Sequence, residues 1–142
     1  MYDRILLPTD GSDANSRAVE QAVGLARETG AGLHVLFVLE DVPYAPETMD
    51  DAVEGQLREI GEAAIEEIEE RAEAAGVDLV TEMREGVPHE TILEYAEEAD
   101  VDAIAMGTHG RSGLDRYLLG SVTERVVRTA DVPVLTVRME DD

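Results

Sequence analysis

Short apolar runs alternate along the chain with longer amphipathic stretches. Residues Ile5 to Leu7 open the series, and Leu33 to Leu39 is apolar at nearly every position. A run apolar at both parities is the pattern of a central parallel strand covered on both faces. Val77 to Met83, Val101 to Met106 and Val134 to Arg138 complete a set of five strand-like runs. Between them, apolar residues recurring at helical spacing predict helices near 13–29, 47–75, 88–98 and 120–130. The second carries Val53, Leu57, Ile60, Ala64, Ile68, Ala72 and Ala75 in steps of three and four, with glutamates over the rest. Such a stripe is expected to lie on a sheet.

Strands and helices in strict alternation imply βαβ crossovers. The expected fold is therefore α/β: one domain over residues 1–142, an open, Rossmann-like, five-stranded parallel sheet with helices on both faces. Ligands of such sheets sit beyond the carboxyl ends of the strands, where the strand order reverses. Pro133 at the head of the last run suits an edge strand or a strand's first residue. Val134, Thr136 and Arg138 alternate there with Leu135, Val137 and Met139, leaving one face to be covered, and a partner subunit would cover it.

Charge narrows the functions open to this fold. The chain has 33 acidic residues against 11 basic ones, a formal net charge of -22, and every basic residue is arginine. Without lysine there is no Schiff-base chemistry and no phosphate-loop lysine, so a phosphate would rest on backbone N–H groups, arginine or a metal. Nucleic acid and anionic membranes are not expected partners, because both select a positive footprint. Carboxylates in such excess keep a protein soluble in concentrated salt and suit the salt-filled cytoplasm of a halophile. The alternative is an acidic interaction protein. Zero cysteine excludes disulfides and thiol catalysis. No basic leader or apolar run of about 18 residues occurs, and a cytoplasmic protein is expected.

The segment from Met106 to Glu124 stands apart from this acidic background. Residues 105–138 carry Arg111, Arg116, Arg125, Arg128 and Arg138 against only Asp115, Glu124 and Asp131. Gly107 and Gly110 follow directly on the fourth strand, where glycines let backbone N–H groups approach an anion. Gly120-Ser121 is expected to open the last helix, whose free N–H groups would favour a phosphate. Ser121 to Glu124 also reads as a capping box, which would stabilise that helix with no ligand at all.

The pattern Gly107-x2-Gly110-x9-Gly120-Ser121 resembles the nucleotide-binding signature of the universal stress protein family, in its ATP-binding branch. The resemblance extends to the opening Ile5–Ser12 and the closing Pro133–Val137. It implies the adenine nucleotide alpha hydrolase-like sheet, strand order 3-2-1-4-5, and a homodimer formed through the last strand, near residues 132–138. It further implies that Pro8, Thr9 and Asp10 lie beside the adenosine and Val38 against the adenine. From Met106 onward, Gly107, Thr108, His109, Gly110, Arg111, Ser112 and Gly113 would wrap the phosphates, and Gly120, Ser121, Val122 and Thr123 would hold them. The implied ligand is ATP, or else ADP or AMP, with Mg²⁺ or Mn²⁺ bridging the phosphates.

By the same resemblance Asp10 is a ribose or metal-water acceptor, whereas on the residues alone it reads as a turn aspartate. Arg111 would fork onto a terminal phosphate or stay solvated. His109 is the one loop histidine, His34 is expected in strand packing, and His89 in the first turn of a helix. His89-Glu90 starts like a zincin motif, but Leu93 occupies the place of its second histidine. Three functions remain: a cytoplasmic nucleotide-binding stress or regulatory protein, a slow ATPase or nucleotidyl-transfer enzyme using Asp10 or His109, and a dimeric scaffold with a vestigial or AMP-only site.

Overall fold

The computed structural model describes residues 2–11, 15–40, 51–108 and 114–138. Its elements are β1 (Arg4–Thr9), α1 (Ser16–Thr29), β2 (Gly32–Glu40), α2 (Asp51–Ala75), β3 (Leu79–Gly86), α3 (Pro88–Glu98), β4 (Ala103–Thr108), α4 (Leu114–Thr129) and β5 (Val134–Arg138). All pairings are parallel, in the order β3-β2-β1-β4-β5. The order reverses between β1 and β4, because the connection from β3 carries the chain back past β2 and β1. This is the single-domain, five-stranded α/β sheet expected from the alternation of patterns.

Side-chain parity divides the core into two layers. Ile5 and Leu7 of β1 join Leu33, Val35, Phe37 and Leu39 of β2 beneath α1 and α2. Leu6, Leu36, Ile104 and Met106 point the other way and meet Ile92 and Tyr95 of α3 and Val126 of α4. Each fully buried aliphatic side chain contributes about 1.5–3 kcal/mol. That burial explains why β1 and β2, apolar at both parities, occupy the middle of the sheet. A bond across the chain fastens the start of β1, where the amides of Asp3 and Arg4 donate to the Asp102 carboxylate at 2.7 and 2.9 Å.

Helix ends follow local chemistry. Gly30 closes α1 in the left-handed conformation, with φ 76°. Pro88, whose missing N–H costs nothing in a first turn, opens α3 where the sequence places it. On α2, Ile65, Ile68 and Ala72 are buried, whereas Leu57 and Ile60 are 38% and 48% exposed, so the stripe is covered only in its later part. Closest approach falls at Gly61, where a Cβ would stand 2.6 Å from Phe37 Cδ1 and 2.8 Å from Met83 Cε. The expected helical residues 13–14 and 47–50 lie outside the described residues.

Three elements differ most from the sequence reading. β3 and β4 begin at Leu79 and Ala103, and β4 extends through Gly107 to Thr108. Gly107 is thus a strand residue, paired in register with Val137, rather than a turn. The third difference is larger: α4 starts at Leu114, so Gly120 and Ser121 lie inside it and Ser121 is not its N-cap. Leu114 to Leu119 holds good helix formers, and one interior glycine costs only about 1 kcal/mol, too little to start the helix afresh.

Candidate functional site

The carboxyl ends of β1, β2 and β4 meet beside the reversal of strand order, and several of the expected site residues stand on them. Met106 is buried in the layer under α3 and α4, with Val38 half-buried against the same cluster. Pro8, buried and two residues after Leu6, shares that parity. Pro8, Val38 and Met106 therefore lie on one face of the sheet at the strand ends. Thr108, half-buried at the tip of β4, is level with Arg138 of β5. Arg138 brings an exposed guanidinium-bearing residue to this edge that the glycine pattern does not reveal.

Thr9 behaves differently. Its parity is that of Leu7, and its hydroxyl is turned towards α1, where it accepts from Asn15 Nδ2 at 3.1 Å and from the Gly11 amide at 3.2 Å. Asp10 lies between the two halves of that clamp and is exposed at the edge. Gly11 adopts φ 80°, and a Cβ there would come within 2.8 Å of Ile60 Cγ2 on α2. Only glycine satisfies both the left-handed conformation and the close approach. A cleft of about 520 Å³ opens on this α1–α2 side, lined by Thr9, Asn15, Ser16, Ile60, Ile68 and Arg71 among others. Of the expected site residues that are described, only Thr9 lines it, so the cleft lies across the sheet from Val38 and Met106.

The last four expected residues sit on α4. Ser121 is exposed, Val122 packs against the α3–α4 layer, and Gly120 lies within the helix. Thr123 is buried and its hydroxyl donates to the Gly107 carbonyl at 3.0 Å, tying the helix to the end of β4. Amides inside a helix are held by the preceding turn. The expectation that Ser121, Val122 and Thr123 present free N–H groups at a helix start is therefore corrected by the earlier start of α4. His109, Gly110, Arg111, Ser112 and Gly113 lie outside the described residues.

A second polar group lies beneath α3 and reaches the strand ends at Arg84, which pairs in register with Val38. His34 Nδ1 is 2.8 Å from the Tyr95 hydroxyl, and Arg84 stacks over the Tyr95 ring with its guanidinium carbon 4.9 Å from the centroid. Arg84 also forks onto Glu98 at 3.0 and 3.0 Å and bonds Glu82. Burial, then the Arg4 charge, lowers the His34 pKa, while burial raises that of Tyr95. The Arg84 hydrogen bond lowers the Glu98 pKa. His34 thus belongs to strand packing as expected, with a hydrogen-bond partner, and His89 stands in the first turn of α3.

Among the described residues no group of three His, Asp or Glu side chains converges to hold a metal ion. No helix there is long and apolar enough to cross a membrane. Asn15 is the residue that sequence reasoning missed. An asparagine ahead of an amphipathic run reads as a helix cap, and only the fold turns its amide to Thr9 instead.

An open parallel sheet with apolar residues gathered at its strand-order reversal defines a Rossmann-like α/β protein. The chain belongs to the universal stress protein family, whose model matches residues 1–138. It is 40% identical over 141 residues to universal stress protein MJ0531 of Methanocaldococcus jannaschii, covering 97% of this chain and 83% of that one. The solved structure of MJ0577 from the same organism superposes with TM-score 0.83 at 31% identity, covering 100% of this chain and 99% of that one. A universal stress protein crystallised in complex with cAMP superposes with TM-score 0.78 at 28% identity, covering 98% and 99% of the two chains.

Proposed function

We propose that this protein is a cytoplasmic adenine-nucleotide-binding stress or regulatory protein, with ATP as its ligand. The observation that carries the reading is the meeting of Pro8, Val38 and Met106 on one face of the sheet at the reversal of strand order. Such a patch suits the apolar face of a base, and the cAMP complex of a relative supports the ligand class. Asp10 at the adjoining edge is the acceptor for ribose hydroxyls. The phosphates lie towards the glycine-containing segment from Gly107 to Gly113, flanked by the arginine-bearing α4. Gly120, Ser121, Val122 and Thr123 of α4 are proposed on the phosphate side, where Thr123 also holds Gly107.

A bound Mg²⁺ or Mn²⁺ would neutralise phosphate charge in a chain without lysine. Such an ion would arrive with the nucleotide, and Asp10 would be the carboxylate that holds its water. We further propose a homodimer through β5, an edge strand on which Leu135 is 40% exposed. Extraction of the purified protein and identification of retained nucleotide tests the reading. An adenine nucleotide in near-stoichiometric amount supports it, and a nucleotide-free protein that also takes up none on incubation contradicts it.

A further inference from the structure

We propose that Asn15 is a positioning residue for the nucleotide site, acting through Thr9 to set the Asp10 carboxylate for ribose hydroxyls. The inference rests on the nucleotide-binding reading and adds a residue and a specificity to it. Asn15 occupies the N-cap of α1, where an asparagine side chain ordinarily accepts from an amide of the first helical turn. Here its backbone is in the right-handed helical region, at φ -77° and ψ -2°, and its side chain makes no cap bond. Instead the residue is only 5% exposed, and its side-chain amide donates to Thr9.

The Thr9 hydroxyl is the centre of this device. It accepts from Asn15 Nδ2 and from the Gly11 amide, so one oxygen ties the last residue of β1 both to α1 and to the residue after Asp10. Asp10 is held between two fixed neighbours, because Gly11 is also confined by Ile60 and by its left-handed φ. A carboxylate whose backbone is fixed before ligand arrives loses less freedom on binding, and its bond to a hydroxyl is correspondingly more selective. Thr9 and Asn15 face α1 and α2, across the sheet from Val38 and Met106. Their side chains therefore act on Asp10 from the face opposite Val38 and Met106.

The test compares ATP with 2′,3′-dideoxy-ATP, which keeps base and phosphates and lacks both ribose hydroxyls, by calorimetric titration of the full chain. The wild-type protein should prefer ATP by about tenfold or more, as for a hydrogen bond to a charged group, and Asp10→Asn should remove the preference. Asn15→Leu and Thr9→Val should remove it too, weakening ATP while dideoxy-ATP changes by less than about twofold. Thr9→Ser, which restores the hydroxyl, should keep it. An Asn15→Leu protein that retains the preference lost in Asp10→Asn overturns the proposal, as does a wild-type protein that binds both ligands equally. Failure of the wild-type protein to bind either ligand would instead defeat the nucleotide reading itself. If Asn15→Leu does not fold, the Thr9→Val and Thr9→Ser pair decides.

Discussion

The hydroxyl of Thr123, in the middle of α4, donates to the carbonyl of Gly107 near the end of β4 at 3.0 Å. One buried side chain thereby joins the last helix of the chain to the strand from which the glycine-containing segment departs. Thr123→Val keeps the shape and removes the donor. It should destabilise the fold by about 1–2 kcal/mol in denaturant unfolding and weaken ATP binding, whereas Thr123→Ser should do neither. An unchanged unfolding midpoint for Thr123→Val would show that the bond contributes nothing.

Two helical glycines should respond to alanine with opposite signs. At Gly61 a Cβ would meet Phe37 and Met83 at 2.6–2.8 Å, and Gly61→Ala should cost about 1–3 kcal/mol by forcing α2 off the sheet. At Gly24 of α1 nothing lies within 4 Å, and Gly24→Ala should stabilise by about 0.5–1 kcal/mol through backbone entropy. Equal responses in urea titrations would mean that α2 does not sit where Gly61 places it.

Acid should loosen the start of β1. The amides of Asp3 and Arg4 hold the Asp102 carboxyl below the ordinary aspartate range. A depressed folded-state value contributes stability that is present above the unfolded aspartate value and lost as pH falls through the folded one. Asp102→Asn should therefore be less stable than wild type at neutral pH, and the difference should shrink in the acid limb. A gap that persists unchanged to the lowest pH would contradict a titrating contribution.

Salt should stabilise this chain. With a net charge of -22, self-repulsion dominates its long-range electrostatics. Raising ionic strength from about 0.1 to 1 M shortens the Debye length from roughly 10 to 3 Å and should raise the thermal midpoint progressively. A midpoint that falls over this range would remove the reading of the acidic surface as an adaptation to salt.

The sequence pattern carried the sheet further than it carried the site. β2 was legible because Leu33 to Leu39 is apolar at both parities, and α3 because Pro88 and its period agree on one start. The start of α4 was not legible, because Gly120-Ser121 looks like a beginning to local rules while Leu114 to Leu119 extends the helix back beyond it. Strand parity puts Pro8, Val38 and Met106 on one face, and the strand order brings them together. The clamp of Asn15 on Thr9 and the anchoring of Asp3 by Asp102 depend on how the chain returns on itself, over |i−j| of 6 and 99, and no periodicity encodes such bonds.

Adenine nucleotide binding at the edge formed by Pro8, Val38 and Met106 is the property proposed for this protein. It is tested most directly by calorimetric titration of the purified chain with ATP, ADP and AMP, with and without Mg²⁺, in concentrated salt. Saturable binding of ATP, strengthened by Mg²⁺ and weakened by Val38→Asp in a variant that still folds, is the predicted result. No heat of binding from any of the three nucleotides at millimolar concentration would contradict it.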